Sequence, residues 1–207
     1  MESDAFQETF KLLKQFGLLM LSDAQLPSIT TLVAGKPIRG SWWGHPKAHD
    51  IFRVVSRIAE HPDVAVTKLI AGKITFVHRK LWPALLAVAT AREAWQMKGL
   101  SRKARILLQM VNKEGGLRAD QLPHSRKAKR SPWNDAIREL EQRLLLYAEE
   151  FHSESGAHVK RVESWEHWAQ RLRLSAKMIP NTAKQEFENL IEWMNINHKT
   201  NGRLPWR

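Results

Sequence analysis

Arg53 and Arg57 stand four residues apart, the spacing that puts two side chains on one face of a helix. Arginine's planar fork of donors matches guanine edges and phosphate oxygens bidentately, so the pair suits contact with nucleic acid. Lys47 and His49 lie near the start of the same segment. Downstream, Lys68 and Lys73 are followed by His78, Arg79 and Lys80, and the chain is most densely positive at Arg126, Lys127, Lys129 and Arg130. Such side chains suit phosphate contact, which gives affinity without sequence information. The 126–130 loop could also reach a minor groove. Trp42 and Trp43 carry flat faces able to stack on a base or wedge into a duplex.

Each of these residues also has a plainer reading. Asp50 and Glu60 beside the arginines fit an ordinary solvated helix face. Charge on an edge strand discourages aggregation, a basic loop is also a solubilising connection, and a tryptophan pair is also core. Adjacent tryptophans are expected to point in different directions, one of them inward. Arg138 and Arg143 alternate with Glu139 and Glu141, a mixed pattern that fits a salt-bridged or protein-facing helix.

No catalytic residue stands out. The chain has no Cys, which excludes disulfides and thiolate metal sites. His45 and His49 are four apart with Asp50 adjacent, but no third ligand follows at a metal-binding spacing. There is no glycine-rich phosphate loop, serine elbow or paired carboxylate motif. Asp23 and Asp120 fit turn or cap roles. Neither a metal nor a cofactor is expected.

The elements that must position the basic residues follow from hydrophobic spacing. Phe6, Phe10, Leu13 and Phe16 predict a helix over 3–17, and Ser28 before 29–34 a second, closed by Gly35. Pro46 opens a third helix that runs to Glu60, with Ile51, Phe52, Val55 and Ile58 as its stripe. Two β-rich runs, 64–69 and 73–78, flank Ala71-Gly72 and predict a hairpin. Three helices and a hairpin in that order make a winged helix-turn-helix, in which the third helix enters the major groove. Helices are then predicted over 83–98, 102–112 and 135–149, with a shorter wing at 158–162 and a helix over 181–195. The end, 200–207, is expected to be loose. Ala119-Asp120-Gln121-Leu122-Pro123 echoes Ser22-Asp23-Ala24-Gln25-Leu26-Pro27, and Arg130-Ser131-Pro132-Trp133 echoes Gly40-Ser41-Trp42-Trp43. These landmarks predict two copies of one unit.

The totals agree with a polyanion as partner. Thirty-three Lys and Arg against 21 Asp and Glu leave a net charge of +12. A positive field of that size draws nucleic acid, and double-stranded DNA is the partner expected. The apolar stretch from Phe16 to Leu21 is too short to span a bilayer, and acid stands near Met1 where an export signal needs base. No membrane association is expected; the cytoplasm, and the nucleoid if DNA is bound, is the expected location.

Gly40-Ser41-Trp42-Trp43, the basic helix after it, Ala71-Gly72-Lys73-Ile74-Thr75 and Arg79-Lys80 together resemble the AlkZ-type winged-helix DNA glycosylases, which open interstrand crosslinks and excise alkylated bases. The resemblance is clearest from Ile38 to Trp82 and implies a DNA-binding architecture. It does not carry catalysis. The family's water-positioning Gln-x-Gln or Gln-x-Asp is missing: Gln25 and Gln121 precede Leu-Pro, and Gln142 precedes Arg-Leu.

The reading is therefore a mainly α protein with small β-hairpins (α+β), made of tandem winged helix-turn-helix units plus a C-terminal helix. Its expected divisions are 1–98, 99–175 and 176–207. The expected function is non-catalytic DNA binding as a repair accessory or regulator. The alternatives are a divergent glycosylase and a protein-interaction module acting as a homodimer.

Overall fold

The computed structural model describes residues 2–123, 133–152, 158–175 and 177–207. The chain forms two compact units. The first holds residues 1–82 with 184–205 and 207; the second holds 83–183 with Trp206. The fold class is mainly α with small antiparallel sheets.

In the first unit, α1 (Glu2–Phe16) buries Phe6, Phe10 and Leu13 on one stripe. Gly17 ends it in the left-handed region at φ +89°, and its N–H donates to Leu13 O. A Cβ there would lie 2.7 Å from Leu81 Cδ1, so glycine is required both by backbone and by space. The chain goes straight into β1 (Leu18–Met20), a three-residue strand that the sequence reading passed over. Helix α2 (Ile29–Ala34) starts at Ser28, whose Oγ accepts from Thr31 N, and stops at Gly35. A 3-10 turn at Trp42–Gly44 leads to α3 (Ala48–Ala59), which buries Ile51, Val54 and Ile58. Strands β2 (Val64–Ile70) and β3 (Lys73–His78) form the hairpin across Ala71 and Gly72. Both turn residues have positive φ, +49° and +67°, the conformation that a two-residue turn needs to match strand twist. β3 is the middle strand, in the order β1-β3-β2. The core joins Phe6, Phe10, Leu13, Leu19, Ile29, Val54, Ile58, Val64 and Phe76.

The segment expected as one helix over 83–98 is two. α4 (Trp82–Ala89) and α5 (Ala94–Met97) are separated at Arg92, whose φ is +54°. Thr90 Oγ1 donates back to Leu86 O, and Glu93 with Gln96 forms a capping box that restarts the chain. Helix α6 (Arg102–Glu114), capped by Ser101, is followed by β4 (Gly116–Arg118).

The long helix expected over 135–149 is also corrected. α7 (Asn134–Gln142) ends early, and residues from Tyr147 form β5 (Tyr147–His152). Leu144 takes φ +51° and Leu145 N–H donates to Leu140 O, a left-handed cap built on leucine instead of glycine. β6 (His158–Glu163) pairs with both β4 and β5, giving the order β4-β6-β5, the same arrangement as in the first sheet. α8 (Trp165–Arg171) follows. The second core includes Leu107, Val111, Trp133, Ile137, Leu140, Leu146 and Val162.

α9 (Pro180–His198) buries Ala183, Phe187, Ile191 and Met194. The tail after it is not loose. Leu204 is buried, Asn195 Nδ2 donates to Gly202 O, and Arg203 O accepts from Ala71 N at 2.8 Å, so the tail holds the tip of the hairpin. No described helix is long and apolar enough to cross a membrane.

Candidate nucleic-acid interface

The outer face of α3 is defined by what its inner face buries. With Ile51, Val54 and Ile58 inside, His49, Phe52 and Arg57 are exposed and Arg53 is half-exposed. Arg53 and Arg57 thus share one helix with Lys47 at its N-cap, the three spread over about 15 Å at 1.5 Å per residue. None is a bare charge. Lys47 Nζ donates to Val33 O at 3.1 Å, in the last turn of α2, where a cation meets the carbonyl end of a helix. Arg53 Nη2 lies 3.9 Å from Asp50 Oδ1. The Arg57 guanidinium sits over the Phe6 ring, 4.1 Å from its centroid.

At the entry to this helix, Trp42 and Trp43 do not diverge. Their rings stack at 4.0 Å, with Trp42 buried and Trp43 64% exposed. The 3-10 turn brings successive side chains closer than an extended backbone would. Trp43 also meets Phe52 at 5.8 Å, so an aromatic surface continues from the turn onto the outer face of α3.

The hairpin's cations do not form one cluster. Lys73 is at the turn, and Arg79 and Lys80 are at the opposite end of β3, about 20 Å away at strand spacing. Lys73 Nζ contacts Asp23 Oδ2 at 2.7 Å, and Arg79 Nη1 contacts Asp63 Oδ1 at 3.0 Å. Lys80 Nζ donates to Gln15 O at 2.7 Å. His78, grouped with these from the sequence, is buried: its Nδ1 accepts from Lys80 N and its ring abuts Phe10. Burial holds its pKa below the usual histidine value. Burial raises the Asp23 pKa, but hydrogen bonds from Lys73, Leu26 and Gln25 outweigh it, so the net shift is downward. Arg126, Lys127, Lys129 and Arg130 lie outside the described residues.

In the second unit, α7 carries the mixed charge expected of it. Arg138 pairs with Asp135, and Arg143 Nη1 donates to the carbonyls of Trp95, Gln96 and Lys98. Two features here were not read from the sequence. Glu163 is fully buried and holds His167 Nδ1 at 3.0 Å and Arg171 Nη2 at 2.6 Å. A cleft beside α6 gathers Arg92, Arg105, Gln109 and Asn112. Its sequence signal was Arg102-Lys103-Ala104-Arg105, three cations opening a helix with no acid beside them.

A sequence model of the family described as AlkZ related matches residues 4–201, nearly the whole chain. The chain belongs to the AlkZ-related family. The match covers residues of both units of this AlkZ-related chain, beyond the stretch from Ile38 to Trp82. No curated protein and no solved structure matches it. Among the described residues no group of three or more His, Cys, Asp or Glu is placed to hold a metal ion.

Proposed function

We propose that this AlkZ-related protein is a non-catalytic, double-stranded-DNA-binding protein made of two winged helix-turn-helix units, acting as an accessory or regulator of DNA repair in the cytoplasm, on the nucleoid. The observation that carries the proposal is the outer face of α3. It presents Arg53, Arg57 and His49 beside the exposed Trp43–Phe52 surface, on the helix that precedes the hairpin. A helix in that position is the one that a winged unit lays in the major groove. Lys73 at the hairpin tip, with Arg79, Lys80 and the 126–130 loop, would add phosphate contacts. Lys73 and Arg79 are themselves exposed and paired to partly buried carboxylates, contacts worth about 1 kcal/mol each that a phosphate can displace.

The test is duplex affinity across a salt series for the natural protein and for Arg53→Glu with Arg57→Glu. Binding that weakens steeply with salt and is lost in the double variant, with an unchanged melting temperature, supports the reading. Duplex affinity unchanged in the variant removes α3 from the interface. Excision of an alkylated base by the natural protein would replace a binder with an enzyme.

A further inference from the structure

The second unit carries an open cleft of about 650 Å³, bounded by α6, the end of α5 and the start of α8. Its wall is apolar at Met97, Leu100 and Leu108, and its polar groups converge from Arg92, Arg105, Gln109 and Asn112. That size and mixture suit a small planar ligand with a hydrogen-bonding edge.

The charges decide the ligand's sign. Glu166, the acid of the cleft, is already neutralised by Arg92, whose Nη2 reaches its two carboxylate oxygens at 3.1 and 3.3 Å. Arg105 has no ion pair or side-chain hydrogen bond among the described residues, so the cleft keeps one positive charge in excess. Arg102 and Lys103 share its helical turn and are equally without such partners. Three cations in the first turn of α6, with no acid in that turn, repel one another; the carboxylate at this helix end is Glu139, whose Oε1 accepts from Ser101 N–H at 3.0 Å. Glu139 offsets part of this positive charge, and three cations still crowd one turn. The contrast with the first unit is direct: there Lys73, Arg79 and Arg57 are held by Asp23, Asp63 and Phe6.

The other side chains narrow the class. A bare phosphate needs no apolar wall, and an acyl chain needs no carboxamides. Gln109 and Asn112 lie one turn apart on α6; Gln109 offers a donor and an acceptor, and Asn112, whose Oδ1 accepts from Arg92 Nη2 at 3.4 Å, offers its Nδ2 as donor, groups that a nucleobase edge accepts. We propose that this cleft binds one nucleotide, with its phosphate on Arg105, its base against Leu100 and Leu108, and the base edge on Gln109 and Asn112. The site lies in the other unit from α3 and does not depend on the duplex contact proposed there.

The test uses the whole protein, a short single-stranded DNA oligonucleotide, deoxyadenosine monophosphate and a blunt duplex. Binding is read by anisotropy for the DNAs and by equilibrium dialysis for the mononucleotide. Arg105→Glu and Asn112→Leu are surface changes, and a thermal melt confirms that each variant folds; Gln109→Ala is the milder third variant. The expected result is oligonucleotide affinity reduced about tenfold in each of the first two variants, with the Arg53/Arg57 variant binding it normally. Mononucleotide binding with the same sensitivity to the variants assigns the site to free nucleotides; binding of the oligonucleotide alone assigns it to a strand. No oligonucleotide or mononucleotide binding at low salt overturns the proposal. So does affinity unchanged in Arg105→Glu, and so does a loss confined to Arg105→Glu with Asn112→Leu unaffected, which would leave only charge attraction. Failure of duplex binding in the natural protein would count against the α3 interface and leave this result standing.

Discussion

Asp23 Oδ2 holds Lys73 Nζ at 2.7 Å while Asp23 Oδ1 accepts from the backbone N–H groups of Gln25 and Leu26. One carboxylate therefore shapes the turn before α2 and restrains the cation at the hairpin tip. Asp23→Asn keeps an oxygen for the turn and releases the lysine. Duplex affinity is expected to rise by up to about fivefold, the equivalent of roughly 1 kcal/mol, with a slightly steeper salt dependence. Titration by anisotropy at several salt concentrations checks this, and weaker binding would separate Lys73 from the interface.

His78 predicts a pH response. Its folded pKa is depressed by burial, so the unfolded chain takes up the proton first. Stability is full above the ordinary histidine value of about 6.5 and falls as pH drops from there through the folded pKa. Melting temperatures between pH 8 and pH 5 are expected to show this acid-side loss, and His78→Asn, which can still accept from Lys80 N, to flatten it. An unaltered pH profile in the variant would assign the loss to other groups.

Glu163 is buried between His167 and Arg171. Glu163→Gln leaves Arg171 without its 2.6 Å carboxylate partner, which itself raises the arginine's pKa. Arg171 is 37% exposed and keeps Glu149 at 3.9 Å, so a loss of about 2 kcal/mol is expected, that of a charged hydrogen bond, read by denaturant unfolding. Trp165 and Trp168 at the same helix report it by fluorescence. A change under about 1 kcal/mol would mean that water replaces the pair at no cost.

Gly17 and Gly35 both sit in the left-handed region, at φ +89° and +82°, yet their surroundings differ. A Cβ on Gly17 meets Leu81 Cδ1 and Lys80 Cε at 2.7 Å, whereas one on Gly35 meets nothing within 4 Å. Gly35→Ala is expected to cost about 1 kcal/mol, the backbone penalty alone. Gly17→Ala is expected to cost about 3 kcal/mol, since packing strain is added. Equal melting temperatures for the two variants would contradict this.

The parts of the fold that were legible in the sequence are those with local chemistry. Ser28, Gly35 and Ser101 announce their caps, and Ala71-Gly72 announces its turn. Where pairing partners are distant, local pattern misled. Leu144 and Tyr147 continue the spacing of Ile137 and Leu140, so the pattern prolongs α7 past its end. The actual stop uses a leucine where a glycine would have been the signal, and β5 exists because β6 pairs with it. Leu18–Met20 has no alternation because every residue of it is buried. Of the candidate site, the residue types on α3 were legible, but not that Asp23, Asp63 and Phe6 hold the neighbouring cations, since those contacts span many residues. The α6 cleft was missed because its partners, Arg92 and Glu166, are far apart in sequence and meet only in the folded unit.

The first unit is interrupted. It needs residues 184–205, where Trp193 meets Phe16 and Gly202 lies beside Leu26 and Ile191, as well as residues 1–82. During synthesis residues 83–183 of the second unit emerge before residues 184–205 of the first. The opening helices and hairpin must wait, incompletely covered, until the last part of the chain emerges, and a nascent chain halted after the first hairpin would expose the surface that α9 later covers.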